Sequence, residues 1–212
     1  MTKPVAIFLY ELSGQTAEPF VASDWDCYCI DTAHERSRSE GSLHFVKADA
    51  RRWRPTRDQV NRCRFFAAMP PCDHLAVSGA RWFKGKGLRT FAEAIDLFGV
   101  AAEWAEWLEV PYFIENPAST ISTYWRKPDY TVHPFQFAGL NPDDNYTKAT
   151  CLWTGGGLIR PAEYPLRPFV EPSKTRIHYA SPGPERKTFR SATALAFTRA
   201  VFRSNFAESV AA

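Results

Sequence analysis

Residues 63–117 constrain this chain more than any other stretch. Phe65-Phe66-Ala67-Ala68-Met69 and Val110-Pro111-Tyr112-Phe113 are apolar runs of the length of one buried strand. Between them Phe91, Ile95, Phe98, Ala102 and Leu108 recur at near-helical spacing, which predicts a helix over Leu88–Leu108. Strands joined through a long helix pair in parallel, because a parallel neighbour needs a crossover connection. Each run stops at a proline-stiffened turn that carries one reactive side chain. The first ends in Pro70-Pro71-Cys72 and the second in Ile114-Glu115-Asn116-Pro117. In an open α/β sheet the carboxyl ends of neighbouring strands form the ligand crevice. A thiol and a carboxylate delivered there suit covalent attack on a ring that must also be protonated.

The rest of the chain repeats the alternation. Short strands are expected at Val5–Leu9, 25–30, 43–46, 63–69, 112–114 and 149–153. Helices are expected after Ser13-Gly14, around 57–61, over Leu88–Leu108 and over 192–206, where Leu195, Thr198, Ala200, Val201 and Phe202 are available for packing. This pattern argues for an α/β fold with a mostly parallel sheet and helices on both faces. Between Arg160 and Arg190 it gives way to Pro161, Pro165, Pro168, Pro172, Pro182 and Pro184, which reads as an extended arm at about 155–190. With 212 residues, 45% of them hydrophobic, the chain builds one good core, so 1–212 is expected to be a single domain.

Charge and cysteine usage narrow the function classes. The net charge of +3 excludes a whole-body basic field as the basis of nucleic-acid binding and leaves local patches. Six arginines fall between Arg51 and Arg64, either as a phosphate-contacting patch or as a solvated face. Five cysteines without a Cys-x-x-Cys pair argue against a zinc site or a disulfide framework. Cys27 and Cys29, alternating on one strand, read as small buried residues. No apolar run approaches a membrane span, and no signal peptide opens the chain, so a soluble, cytoplasmic protein is expected.

The pair of turns resembles the two catalytic motifs of the DNA (cytosine-5-)-methyltransferases, with Cys72 as nucleophile and Glu115 as acid. That resemblance implies a Rossmann-like, S-adenosylmethionine-dependent methyltransferase fold acting on DNA, without metal or membrane. It implies donor contacts from Glu11, Ser13 and Gly14 in the turn after the first strand, from Asp31 and Asp49 after the next two, and from Pro70. It implies substrate contacts from Pro71, Asn116, Pro117, Arg81 and Trp82, the last two on a glycine-rich segment suited to closing over an extruded base. Lys148 and Thr150 stand where the family carries two arginines, and Gln15-Thr16 where it usually has a second glycine.

Only about forty residues separate Trp153 from Ala192, in place of a full target-recognition domain. Arg160, Tyr164, Arg167, Phe169, Arg176 and Tyr179 interleave cations with aromatics there, a combination suited to phosphate contact and base stacking. The layout is similar to that of small phage-encoded members, which implies a bacterial host cell and a short or relaxed sequence preference. Two other readings stay open: a same-fold enzyme acting on single-stranded DNA, RNA or free cytosine nucleotides, possibly with another substituent, and a non-catalytic nucleic-acid-binding relative.

Overall fold

An eight-stranded mixed sheet organises the chain in the order β3-β4-β2-β1-β5-β6-β8-β7. The computed structural model describes residues 2–77, 83–174 and 192–207. The strands are β1 (Val5–Leu9), β2 (Asp26–Asp31), β3 (Arg38–Glu40), β4 (Leu43–Lys47), β5 (Cys63–Ala68), β6 (Tyr112–Asn116), β7 (Tyr130–Val132) and β8 (Thr150–Gly155). Strands β4, β2, β1, β5 and β6 pair in parallel, while β3 and β8 join antiparallel. Helices α1 (Glu18–Val21), α2 (Arg57–Arg62), α3 (Phe83–Lys86), α4 (Leu88–Leu108), α5 (Ile121–Tyr124) and α6 (Leu195–Asn205) complete the order. The structure is therefore α/β with a mostly parallel sheet, as the sequence pattern implies.

Two apolar layers sandwich the central strands. On one face Val5, Ile7, Leu9, Phe66, Ala68 and Ile114 join one buried cluster with Ala94, Phe98, Ala101, Trp104 and Ala105 of α4. On the other, Phe20 of α1 stacks on Phe65 at 4.6 Å between ring centroids, and Phe8 meets both edge-on at 5.5 and 5.9 Å. The helix spans the bounds that its sequence predicts. Its buried stripe is Ala94, Phe98, Ala101, Trp104 and Ala105, so Phe98 of the expected set is buried, while Phe91, Ile95, Ala102 and Leu108 are only partly buried beside it. Glu109 ends α4 in a left-handed turn at φ 51°, two residues before Pro111.

The contacts divide the chain into two compact units, Met1–Thr131 with Thr150–Leu158, and Val132–Ala149 with Ile159–Ala212. The second is built around α6, which buries Ala196, Phe197, Thr198, Ala200, Val201 and Phe202. Its N-cap is Ala194, which has no side chain to satisfy the first amides. Asp144 does so from elsewhere in the unit: its carboxylate is buried and accepts from the Ala196 amide at 2.8 Å and from Asn141 Nδ2 at 3.0 Å. Asp144→Ala is expected to lower stability by about 1–3 kcal/mol, because it strands both donors; a urea titration that leaves the midpoint unchanged refutes this cap. Within the same unit, residues 159–172 hold no helix or strand. Their backbone is tied by Tyr164, whose amide donates to Gln136 and whose carbonyl accepts from the Gly139 amide.

Among the described residues no helix is long and apolar enough to cross a membrane, and no group of three or more His, Cys, Asp or Glu side chains is placed to hold a metal ion.

Candidate functional site

Strand register gathers the sequence-derived residues at one edge of the sheet. Leu9 pairs with Ile30 on one side and Ala68 on the other, Ile30 with Val46, and Ala68 with Ile114. These five residues form one row across β4, β2, β1, β5 and β6. Just beyond it, at the carboxyl ends, come Tyr10 and Glu11, Asp31, Met69 and Pro70, and Glu115 and Asn116. Strand β8 runs the other way and pairs Cys151 with Asn116, so its first residue, Thr150, reaches the same edge. The chain winds outward from β1 in one direction through β2 and β4, and from β5 in the other through β6. The strand order thus reverses between β1 and β5, where open α/β sheets bind ligands.

Cys72 stands on the turn after β5 and Glu115 on β6 itself, one residue before its end, and the two segments are laced together. Asn116, 1% exposed, donates from Nδ2 to the Pro70 carbonyl at 2.8 Å and so clamps the end of β5 to the end of β6. The Cys72 carbonyl accepts from the amides of Leu75 and Ala76 at 3.0 and 2.9 Å. Ala76 bridges to Ser119, and the Val77 amide donates to the Ala118 carbonyl. Pro70 is buried, Pro71 exposed and Pro117 half-buried. Asn116 and Pro70, expected to touch substrate and donor respectively, are thereby joined in the scaffold that aims the thiol.

Cys72 differs from its fellow cysteines in exposure. None of the five is in a disulfide; Cys27, Cys29, Cys63 and Cys151 are buried and Cys72 is half-buried. Burial pushes the Cys27 and Cys29 thiols well up and that of Cys63 up to about 11, so these remain protonated at neutral pH. Iodoacetamide at neutral pH is expected to alkylate Cys72 first, read by peptide mass spectrometry. First modification elsewhere contradicts this ordering.

The β1 turn is shaped by Glu11, whose buried carboxylate accepts from the Ser13 amide at 2.8 Å, Ser13 Oγ at 2.6 Å, the Gly14 amide at 2.8 Å and Thr16 Oγ1. Its oxygens are occupied by the turn itself. Gly14 has φ 76°, and a Cβ there would stand 3.0 Å from Phe45 and 3.1 Å from Leu43. The glycine is therefore required here for handedness and for packing on β4. Tyr10, at φ 62°, is a strained residue that sequence reading passes over. Its hydroxyl donates to the Leu97 carbonyl of α4 at 2.7 Å, and burial pushes its ionisation up. Nothing in an isolated tyrosine signals that conformation.

Asp31 ends β2 half-exposed, with Oδ1 accepting from the Ala33 amide at 2.7 Å. Asp49 is engaged by Arg51, which donates from Nε at 3.0 Å and from Nη2 at 2.7 Å and holds the carboxyl below its ordinary range. Arg51 in turn lies 3.7 Å from Glu93 and 3.5 Å from Asp96. Much of the arginine-rich segment is committed in this way. Arg62 pairs with Asp26 and Asp58, while Arg54 and Arg64 donate to carbonyls of their own segment. Lys148 belongs to the second unit and donates to the Ala192 carbonyl at 3.1 Å. Arg160, Arg167 and Phe169 are exposed there, and Arg203 lies over the Tyr164 ring at 5.8 Å. Arg81 and Trp82, with Arg176, Tyr179, Arg186 and Arg190, lie outside the described residues.

Comparison of the chain with protein-family models and with curated proteins finds no match.

Proposed function

We propose that this chain methylates cytosine at ring carbon 5 in DNA, through a covalent adduct with Cys72. The observation that supports this most is the pairing of β5 with β6. It brings the half-exposed thiol and the Glu115 carboxyl to adjacent strand ends beside the switch point, with Asn116 holding the two turns together. Carbon 5 of cytosine is a poor nucleophile because the ring is aromatic and electron-poor. Addition of the Cys72 thiolate at carbon 6 breaks the aromaticity and moves electron density to carbon 5. Glu115, hydrogen-bonded to ring nitrogen 3, assists that addition by supplying a proton as charge develops. Once carbon 5 carries the methyl group, loss of its proton to water and expulsion of the Cys72 thiolate, with nitrogen 3 returning its proton to Glu115, restore the ring.

The carboxyl edge of β1 and β2 fits an S-adenosyl donor: an acidic side chain, Asp31, ends β2 half-exposed, and the Glu11-braced turn follows β1 beside it. S-adenosylmethionine, held there, would supply a methyl group from its sulfonium. Asp31 is the residue for the ribose hydroxyls. Glu11 acts by holding the Ser13-Gly14 turn in shape. Asp49, already bound by Arg51, contributes as an ion pair rather than as a lone carboxylate.

A second reading concerns the substrate. Ion pairing of Arg51 and Arg62 and donation by Arg54 and Arg64 to carbonyls of their own segment engage four of its six arginines, which leaves Arg52 and Arg57 for duplex phosphates. This favours a substrate that needs few backbone contacts, such as single-stranded DNA, RNA or a cytosine nucleotide. Nucleoside mass spectrometry separates the readings, after incubation with S-adenosylmethionine and duplex DNA, single-stranded DNA, RNA or nucleotides in parallel. The proposed reaction yields 5-methyldeoxycytidine from duplex DNA. A product from single strands, RNA or nucleotides alone supports the second reading, and no product from any of them overturns both.

A further inference from the structure

The segment that follows Glu115, Asn116 and Pro117 is held in place at both ends. At its start the Thr120 amide donates to the Leu75 carbonyl at 3.3 Å, on the turn after Cys72. At its end the Trp153 indole donates to the Arg126 carbonyl at 2.8 Å, and the Arg126 guanidinium donates to the Thr154 carbonyl at 3.0 Å. The single turn of α5 lies between them, so Tyr124 stands roughly one helical turn, about 6 Å of rise, beyond Thr120. Tyr124 and Trp125 are both exposed, but the fold engages only the second ring. Trp125 meets Phe98 edge-on at 5.7 Å, and Arg126 lies over its face at 4.7 Å. Tyr124 is 71% exposed and makes no ring contact among the described residues.

The charge beside that ring is positive. Residues 118–128 contain Arg126 and Lys127 and no acidic side chain. Lys127 is exposed, while the next carboxylate, Asp129, already accepts from Arg126 at 2.9 Å and from the Thr154 amide at 2.6 Å. An aromatic side chain on a pinned segment loses little freedom when a partner covers it. Its open face suits a planar π system, and a cation three residues on suits an anion tied to that plane. A nucleotide unit carries both.

We infer that Tyr124 and Lys127 bind single-stranded nucleic acid, with one base stacked on the tyrosine ring and a neighbouring phosphate at the lysine. A base within a duplex is already covered on both faces, so the surface fits an unpaired strand. The inference rests on the proposed cytosine site for its direction: the strand that enters at Cys72 and Glu115 continues along α5. Binding itself requires no methyl transfer.

Fluorescence anisotropy of the full chain with a short labelled oligonucleotide carrying one cytosine tests this, as single-stranded DNA, single-stranded RNA and duplex DNA. Tyr124→Ala should weaken single-strand binding by about tenfold, and Tyr124→Phe, which keeps the ring, by less than about twofold. Lys127→Gln should lower the slope of log affinity on log salt by about 0.7, the scale of one phosphate contact on a single strand. Removing the base at one position beside the cytosine should weaken the wild-type chain by about tenfold and leave Tyr124→Ala unaffected, a coupling that a merely structural tyrosine does not produce. Both residues are exposed, so the variants keep the fold. Absence of single-strand binding, unchanged affinity in Tyr124→Ala, or a base-removal effect that persists in that variant overturns the inference. Methyl transfer without any effect of Tyr124 removes this surface alone. Tyr124-dependent binding without methyl transfer to any substrate retains the surface and removes the proposed reaction.

Discussion

Cys72→Ala is expected to lower methyl transfer by at least about ten-thousand-fold, the scale seen when a covalent nucleophile is removed. No other thiol can substitute. Cys27, Cys29, Cys63 and Cys151 are buried on strands, and burial holds the first three protonated at neutral pH. The substitution sits in a turn whose hydrogen bonds run through backbone atoms, from the Leu75 and Ala76 amides to the residue 72 carbonyl, so the fold should persist. Affinity for S-adenosylmethionine, measured by calorimetry, should change by less than about twofold, because the proposed donor groups Glu11, Ser13, Gly14, Asp31 and Asp49 lie on other segments, at the ends of β1, β2 and β4. Single-turnover transfer from labelled donor reads the rate. Turnover retained in the variant removes Cys72 from the mechanism.

Glu115→Gln should slow the single-turnover rate by about a hundredfold to ten-thousandfold, the usual contribution of a positioned general acid. Glutamine keeps the size of the side chain and its hydrogen-bonding reach at a position only 5% exposed, so packing beside Phe113 and Ile114 is preserved. What it loses is the proton that stabilises charge on ring nitrogen 3 during thiolate addition. Substrate affinity, read by fluorescence anisotropy on duplex DNA, should stay within about threefold. An unchanged single-turnover rate counts against Glu115 as the acid. A loss confined to affinity makes it a binding group instead.

The central strands were legible because each carries a short apolar run, continuous and fully buried in Val5–Leu9 and partly buried in Leu43–Lys47. Val5–Leu9 is wholly buried, and the strands beginning at Asp26, Leu43, Cys63 and Tyr112 fall within a residue or two of their sequence expectations. The hairpin strand Arg38–Glu40 was not, since all three of its residues are exposed and polar. It pairs with β4 through its backbone, helped by Ser39 Oγ against His44 Nδ1 at 2.8 Å and by Arg38 over the Phe45 ring. The face of α4 was legible only in part: Phe98 is buried as expected, but Ala94, Ala101 and Ala105, which share the buried stripe, carry too little hydrophobicity to stand out in the pattern.

The same division holds at the site. The candidates for the proposed chemistry were named from the chain alone: a thiol and a carboxyl at the ends of two apolar runs, each fixed by proline. That the strands leading to them are neighbours depended on pairing across a 21-residue helix, which periodicity alone does not specify. Tertiary structure also decided which polar groups remain available. It used Glu11 to build a turn, gave Asp49 to Arg51, turned Gly14 toward Phe45, and left Cys72 half-exposed among buried cysteines. Local sequence determines where a strand ends and what it carries there, because burial and backbone preference act over a few residues. Partnership, exposure and charge compensation are set by residues distant in the chain, and only folding brings those together.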